Sequence, residues 1–95
     1  MNTYIIAYDV DTTTGHPKTA QQTYSDIKGV IEAFQTKGQL TESCWLVLSE
    51  QTHVEIRDAL KSVARPSDRI LVVKSAKVAA WQNLIKDNNW VRSNI

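Results

Sequence analysis

Two stretches of this 95-residue chain are apolar on both faces of an extended strand, and this constrains the fold more than any other feature. Over Thr3–Val10, Tyr4, Ile6, Tyr8 and Val10 point one way, while Ile5, Ala7 and Asp9 point the other. Cys44–Leu48 repeats the pattern, with Cys44, Leu46 and Leu48 on one face and Trp45 and Val47 on the other. A sheet covered by helices on one side only would alternate with polar residues. Both faces of these strands therefore need cover. The chain is long enough for one domain and no more. The second layer is either a terminal helix folded back or a second copy of the chain. The second copy is the expected solution, a homodimer with the tail swapped or packed at its edge.

The remaining elements follow from periodicity and capping. Asp11–Pro17 is polar, with Gly15 and Pro17, and reads as a loop. Tyr24, Ile27, Ile31 and Phe34 form the apolar stripe of a helix that Pro17 is suited to open and Gly38 to close as the C′ residue. Gln39–Glu42 predicts a short edge strand ahead of Cys44–Leu48. Thr52 and Glu55 make a capping box for a second helix carrying Ile56, Ala59, Leu60 and Val63. Arg65-Pro66-Ser67-Asp68 is turn chemistry, and Ile70–Val73 is the last strand. Val78, Trp81 and Ile85 predict a short terminal helix, followed by a tail that holds Trp90. The order predicts an α+β, ferredoxin-like (βαββαβ) antiparallel sheet, with two helices on one face and a short C-terminal helix. Residues 1–95 form one domain.

Several function classes are excluded. The three glycines never cluster, so the chain has neither a P-loop nor a dinucleotide fingerprint. No Cys/His spacing suits zinc, and two histidines without a nucleophile motif make no catalytic triad. No run approaches the ~20 apolar residues of a membrane helix, and no signal peptide is visible. With a single cysteine, Cys44, no internal disulfide forms. A cytoplasmic location without membrane contact is the expectation. The charge is divided along the chain: residues 1–56 carry three lysines against seven acids, and residues 57–95 carry eight bases against three acids. Such a division either steers an anionic ligand to one face or draws two halves of one fold together.

Asp9 is the leading candidate for chemistry, because it ends the first strand beside the loop. Asp11 follows two residues later, on the same side if the strand continues, and the two carboxylates would share a divalent cation through oxygen ligands. Strand-end acids also serve as acceptors for loop amides, so both roles stay open. His16, in the same loop, is a candidate general acid or base, or a solvated loop residue. Ser43 is a candidate phosphate ligand or an ordinary strand-edge serine. Arg57, Lys61 and Arg65 recur at intervals of four, as a phosphate track or a solvated helix face.

The segment Tyr8-Asp9-Val10 resembles the strand-end aspartate pattern of Cas2, the small CRISPR-associated dimeric nuclease. His16-Pro17-Lys18, then Gln21-Gln22-x-Tyr24-x-Asp26-Ile27, is similar to the equivalent stretch of VapD proteins, Cas2-like ribonucleases of virulence or toxin–antitoxin loci. Ser43-Cys44-Trp45 resembles the start of their third strand, and Thr52 through Trp81 looks closest to the small Cas2-like proteins labelled SinR-like. The resemblance implies a homodimer in which Asp9 is the metal-associated aspartate. It also implies a Mg²⁺-dependent endoribonuclease of toxin–antitoxin or mobile-element defence type, with Asp11 or His16 assisting and RNA as substrate. The alternative is a catalytically inactive Cas2-fold interaction module, an antitoxin or adaptor whose partner is a cognate toxin or antitoxin protein.

Overall fold

The computed structural model describes residues 1–95 as an α+β fold of four strands and three helices. The elements run β1 (Asn2–Asp9), α1 (Ala20–Glu32), β2 (Thr36–Thr41), β3 (Cys44–Ser49), α2 (His53–Lys61), β4 (Arg69–Lys74) and α3 (Asn88–Asn94). The strands form one antiparallel sheet in the order β2-β3-β1-β4. β1 is thus internal, opposing β3 from Asn2↔Ser49 to Ala7↔Cys44 and β4 from Tyr4↔Lys74 to Asp9↔Arg69. The β2–β3 register shifts between Gln39 and Thr41, a bulge at Leu40. No helix is long and apolar enough to cross a membrane.

Each face of β1 has its own core. Tyr4, Ile6, Tyr8 and Val10 join Trp45 and Val47 of β3, Ile27 and Ile31 of α1, and Ile56 and Leu60 of α2. In α1 the buried positions are Thr23, Ile27 and Ile31, a spacing of four that keeps one stripe inward. Thr19 caps it, its hydroxyl accepting from the Gln22 amide at 3.1 Å. The capping box on α2 forms as the sequence predicts, with Thr52 N donating to Glu55 Oε1 at 3.0 Å and Glu55 N to Thr52 Oγ1 at 3.1 Å.

The second face is covered over part of its width by the chain's own C-terminal segment. Leu40, Leu46 and Val91 form a small core, flanked by Ile5, Cys44, Leu48, Trp81, Leu84, Trp90 and Ile95. This cover lies over β2 and β3. Toward β4 the face stays open, leaving Leu71 57% and Val73 45% exposed beside Ala7 and Ile5. The fold-back tail, the alternative to a second copy, therefore accounts for only part of the cover that the apolar pattern demands.

Two expectations are corrected. The terminal helix is Asn88–Asn94 and contains Trp90, whereas Val78, Trp81 and Ile85 lie in an irregular segment. Val78 is 91% exposed, and Ile85 is held by its amide donating to the Leu40 carbonyl at 3.0 Å. Asp87 caps α3 by accepting from the Asn89 and Trp90 amides. Gly38 does not close α1, which ends at Glu32, but sits inside a longer β2 than the predicted Gln39–Glu42. Its reason is steric: a Cβ there would overlap Cζ3 and Cη2 of the Trp90 indole. Gly38→Ala is expected to cost about 1–3 kcal/mol through overpacking. Circular-dichroism melting would read this as a clearly lowered Tm, and Trp90→Leu in the same chain should recover part of it.

Candidate functional site

Asp9 ends β1 at the edge of the sheet where β3 and β4 begin, and the chain turns there into the loop before α1. Asp9 points to the same side as Ala7, the side on which Leu71 is exposed, and its side chain is 69% exposed. A cavity of about 320 Å³ opens beside it, lined by Asp9, Asp11, Thr12, Thr13, Ser67 and Arg69 together with Val10. Cross-strand register brings Arg69 opposite Asp9, and Arg69 Nη1 donates to Asp9 Oδ2 at 3.2 Å. Both partners are well exposed, so this pair contributes ~0–1 kcal/mol.

Asp11 lines the same cavity, but its carboxylate is engaged locally. Oδ1 accepts from the Thr13 amide at 2.8 Å and the Thr13 hydroxyl at 2.7 Å. The Thr13 hydroxyl, the Thr13 amide and the Ser67 hydroxyl together lower its pKa to about 2. Asp11 is thus an ionised turn-former, and Asp9 is the carboxylate of the pair whose oxygens face open solvent. No group of three His, Cys, Asp or Glu side chains in the chain is arranged to hold a metal ion.

The other sequence candidates separate. His16 is exposed and turned into its own loop, its Nδ1 accepting from the Lys18 amide at 3.0 Å. It does not line the cavity at Asp9. Ser43 lies in the β2–β3 turn, its carbonyl accepting from the Tyr8 amide at 3.1 Å, and is likewise outside that cavity. Arg57 and Lys61 are exposed on α2, Arg57 pairing with Asp58 at 2.8 Å. They border a separate hollow of about 490 Å³ between α2 and β4.

Arg65 departs from the expected phosphate track. α2 ends at Lys61, so Arg65 falls beyond the helix and turns inward, its side chain 2% exposed against Asp68 at 0%. Nη2 and Nε donate to Asp68 Oδ1 and Oδ2 at 2.9 and 3.1 Å, a two-pronged pair. The guanidinium also donates to the Asp11 and Lys18 carbonyls, and Asp68 accepts from the Asp11 amide at 2.9 Å and the Arg65 amide at 2.7 Å. All of its charge is spent inside the protein. The pair fastens the β1–α1 loop to the α2–β4 turn, fixing the two walls of the cavity at Asp9.

Sequence reasoning missed Arg69, Ser67 and the role of Asp68. Arg69 and Asp9 are sixty residues apart and meet only through strand register, which no local pattern encodes. Tyr8 and Trp45 prove to be packing residues: Trp45 Nε1 donates to Tyr8 Oη at 3.2 Å, and burial pushes the Tyr8 phenol up. Burial likewise pushes the Cys44 thiol up. No protein-family model matches the chain, and no curated protein matches it significantly.

Burial alone would raise the Asp68 carboxyl, but the hydrogen bonds from Arg65 and the Asp11 amide outweigh it and hold it below its usual range. Asp11 and Asp68 are both depressed in the folded chain, so their contribution is complete above the unfolded carboxylate pKa near 4. It is lost as pH falls from there through about 2. Arg65→Met leaves Asp68 buried without its cation, an expected loss of about 3–5 kcal/mol at pH 7. Urea unfolding at pH 7 and pH 3 should show the variant's deficit shrinking at the lower pH.

Proposed function

We propose that the chain acts as a homodimeric, Cas2/VapD-like, metal-dependent endoribonuclease in which Asp9 anchors the metal. The observation that carries the reading is the placement of Asp9: a solvent-facing carboxylate at the end of an internal strand, bordering an apolar half-face that lacks cover. The strand order, read from the other edge as β4-β1-β3-β2, and the shared core of α1 and α2 support a ferredoxin-like arrangement.

The dimer reading is supported by surface. The chain exposes 6078 Å², against about 5,500 Å² expected of a folded monomer of this mass. Exposed Leu71 and Val73 continue the strip that Ile5 and Ala7 begin. Two-fold pairing across this strip would bring both copies of Asp9 toward one cleft. The donor set bears on the same point, since one chain supplies one exposed carboxylate at this end, that of Asp9, and Mg²⁺ is commonly held by one or two carboxylates plus substrate phosphate and water. Two copies of Asp9 fit that requirement. The bound ion would supply charge neutralisation and an activated water for phosphodiester hydrolysis.

The chain's own residues have defined parts in this reading. Arg69, 3.2 Å from Asp9, keeps the carboxylate oriented until a cation competes for it. Thr13 and Ser67 direct their hydroxyls to Asp11 and so shape the wall of the cavity beside Asp9. Arg57 and Lys61 remain as exposed cations for a strand lying along α2. Arg65 acts as a positioning residue through the loop it fastens.

A second reading has one observation in its favour. The Asp9–Arg69 pair already neutralises the carboxylate, as a purely structural residue would be neutralised, which suits a non-catalytic module recruiting a toxin or antitoxin protein. Cleavage of a labelled mixed-sequence RNA, with Mg²⁺ and with chelator, separates the two. Metal-dependent cleavage is expected, and Asp9→Asn is expected to lower it at least about 10²-fold, since metal stabilisation of the transition state amounts to several kcal/mol. Absence of any metal-dependent cleavage, or cleavage unchanged by Asp9→Asn, selects the interaction module.

A further inference from the structure

A second polar basin lies at the opposite end of the sheet. The start of β1, the end of β4 and the last turn of α3 enclose a cavity of about 520 Å³. Thr3 at its wall is six residues along β1 from Asp9, which is ~20 Å at the rise of a strand. The charged side chains lining it are Lys74, Lys77 and Arg92, and neither aspartate nor glutamate is among its lining residues. None of these three cations has an ion-pair partner, whereas Lys18, Lys28, Arg57, Arg65 and Arg69 are each paired with a carboxylate. Arg92 has one side-chain hydrogen bond, to Asn89 Oδ1 at 3.2 Å.

The walls of this basin are firmly held. Thr3 Oγ1 donates to the Asn94 carbonyl at 2.7 Å, and Ser75 Oγ donates to the Ile95 carbonyl at 2.6 Å. The Ser75 amide donates to the Thr3 carbonyl at 2.8 Å, and the Lys77 amide donates to Ser75 Oγ at 3.0 Å. Lys77 adopts φ 64°, the left-handed region, where glycine or asparagine is the comfortable residue. A strained lysine is thus kept at a turn that contributes its cation to a concavity already holding two others. Three cations with neither aspartate nor glutamate among them raise the local potential, only partly offset by the Ile95 carboxylate, and an added anion relieves it.

We propose that this basin binds the phosphate group of an anionic ligand. Lys74 and Lys77 supply compact ammonium charges, and Arg92 supplies a planar guanidinium able to take two phosphate oxygens at once. The volume exceeds that of a lone phosphate and accommodates a nucleotide-sized group. The phosphate belongs either to a nucleic-acid strand or to a free small anion. The proposal uses neither Asp9 nor a metal, so it stands whatever the outcome at the other end of the sheet.

The test is fluorescence anisotropy of a labelled single-stranded 12-mer RNA in EDTA, which prevents cleavage, alongside an NMR titration with inorganic phosphate. Comparison is made with a Lys74→Gln, Lys77→Gln, Arg92→Gln triple variant, all three positions being exposed, and with Lys28→Gln, on the exposed face of α1, as control. A strand phosphate requires RNA binding that weakens at least about tenfold in the triple variant, with the log–log salt slope falling by about 0.7 for each phosphate the variant no longer neutralises. A small-anion site requires phosphate-induced shifts at Ser75 and Lys77 that vanish in the triple variant, without such an effect on RNA. Absence of binding by both probes, or binding equal in wild type and triple variant, overturns the proposal.

Discussion

The double-sided burial of β1 is the constraint on which the rest of the structure depends. A strand that carries Tyr4, Ile6 and Tyr8 on one face and Ile5 and Ala7 on the other can sit only inside a sheet with layers on both sides. The helices meet the first demand through Ile27, Ile31, Ile56 and Leu60. The second is met unevenly, because the tail reaches across β2 and β3 and stops short of β4. The indole of Trp90 lies directly on Gly38, so this layer depends on a strand position without a side chain. What remains uncovered is the strip beside Asp9, so one shortfall in packing joins the fold to the proposed assembly and chemistry.

The buried Arg65–Asp68 pair provides the second organising contact. Burying two charges costs several kcal/mol per ion, and only dense hydrogen bonding compensates for it. Here Asp68 accepts from two backbone amides in addition to the guanidinium, and Arg65 satisfies two loop carbonyls. The result is specificity of position more than stability. The loop after β1 has no regular structure of its own, yet its path past Asp11 and Lys18 is fixed by Arg65, 54 and 47 positions away.

Local signals in the sequence transmitted well. β1, β3, β4, the Ile27 and Ile31 positions of α1 and the Thr52–Glu55 box depend on spacings of two, three and four and formed where those spacings indicated, whereas Tyr24 is 40% exposed and Phe34 lies beyond the end of α1. Long-range contacts did not transmit. Gly38 carries the same letter whether it ends a helix or accepts an indole from fifty residues downstream. Val78, Trp81 and Ile85 have helical spacing, but Ile85 instead satisfies its amide on the β2 bulge, while the cap at Asp87 starts the helix later. Arg65 continues a four-residue rhythm of bases, yet the helix stops at Lys61 and the rhythm loses its geometric meaning. At the candidate site, Asp9 was legible from its place at the end of a strand. Its neighbour Arg69 was not, because strand register brings them together.

The central claim is that a second copy covers the open strip of β1 and β4. Sedimentation equilibrium on the wild-type chain at micromolar concentration tests this most directly. The expected result is a mass twice the 10.7 kDa of one chain, returning to that of one chain when Leu71 and Val73 are both replaced by lysine. A wild-type chain that sediments as a monomer would contradict it, and would leave Asp9 without the second carboxylate on which the proposed donor set draws.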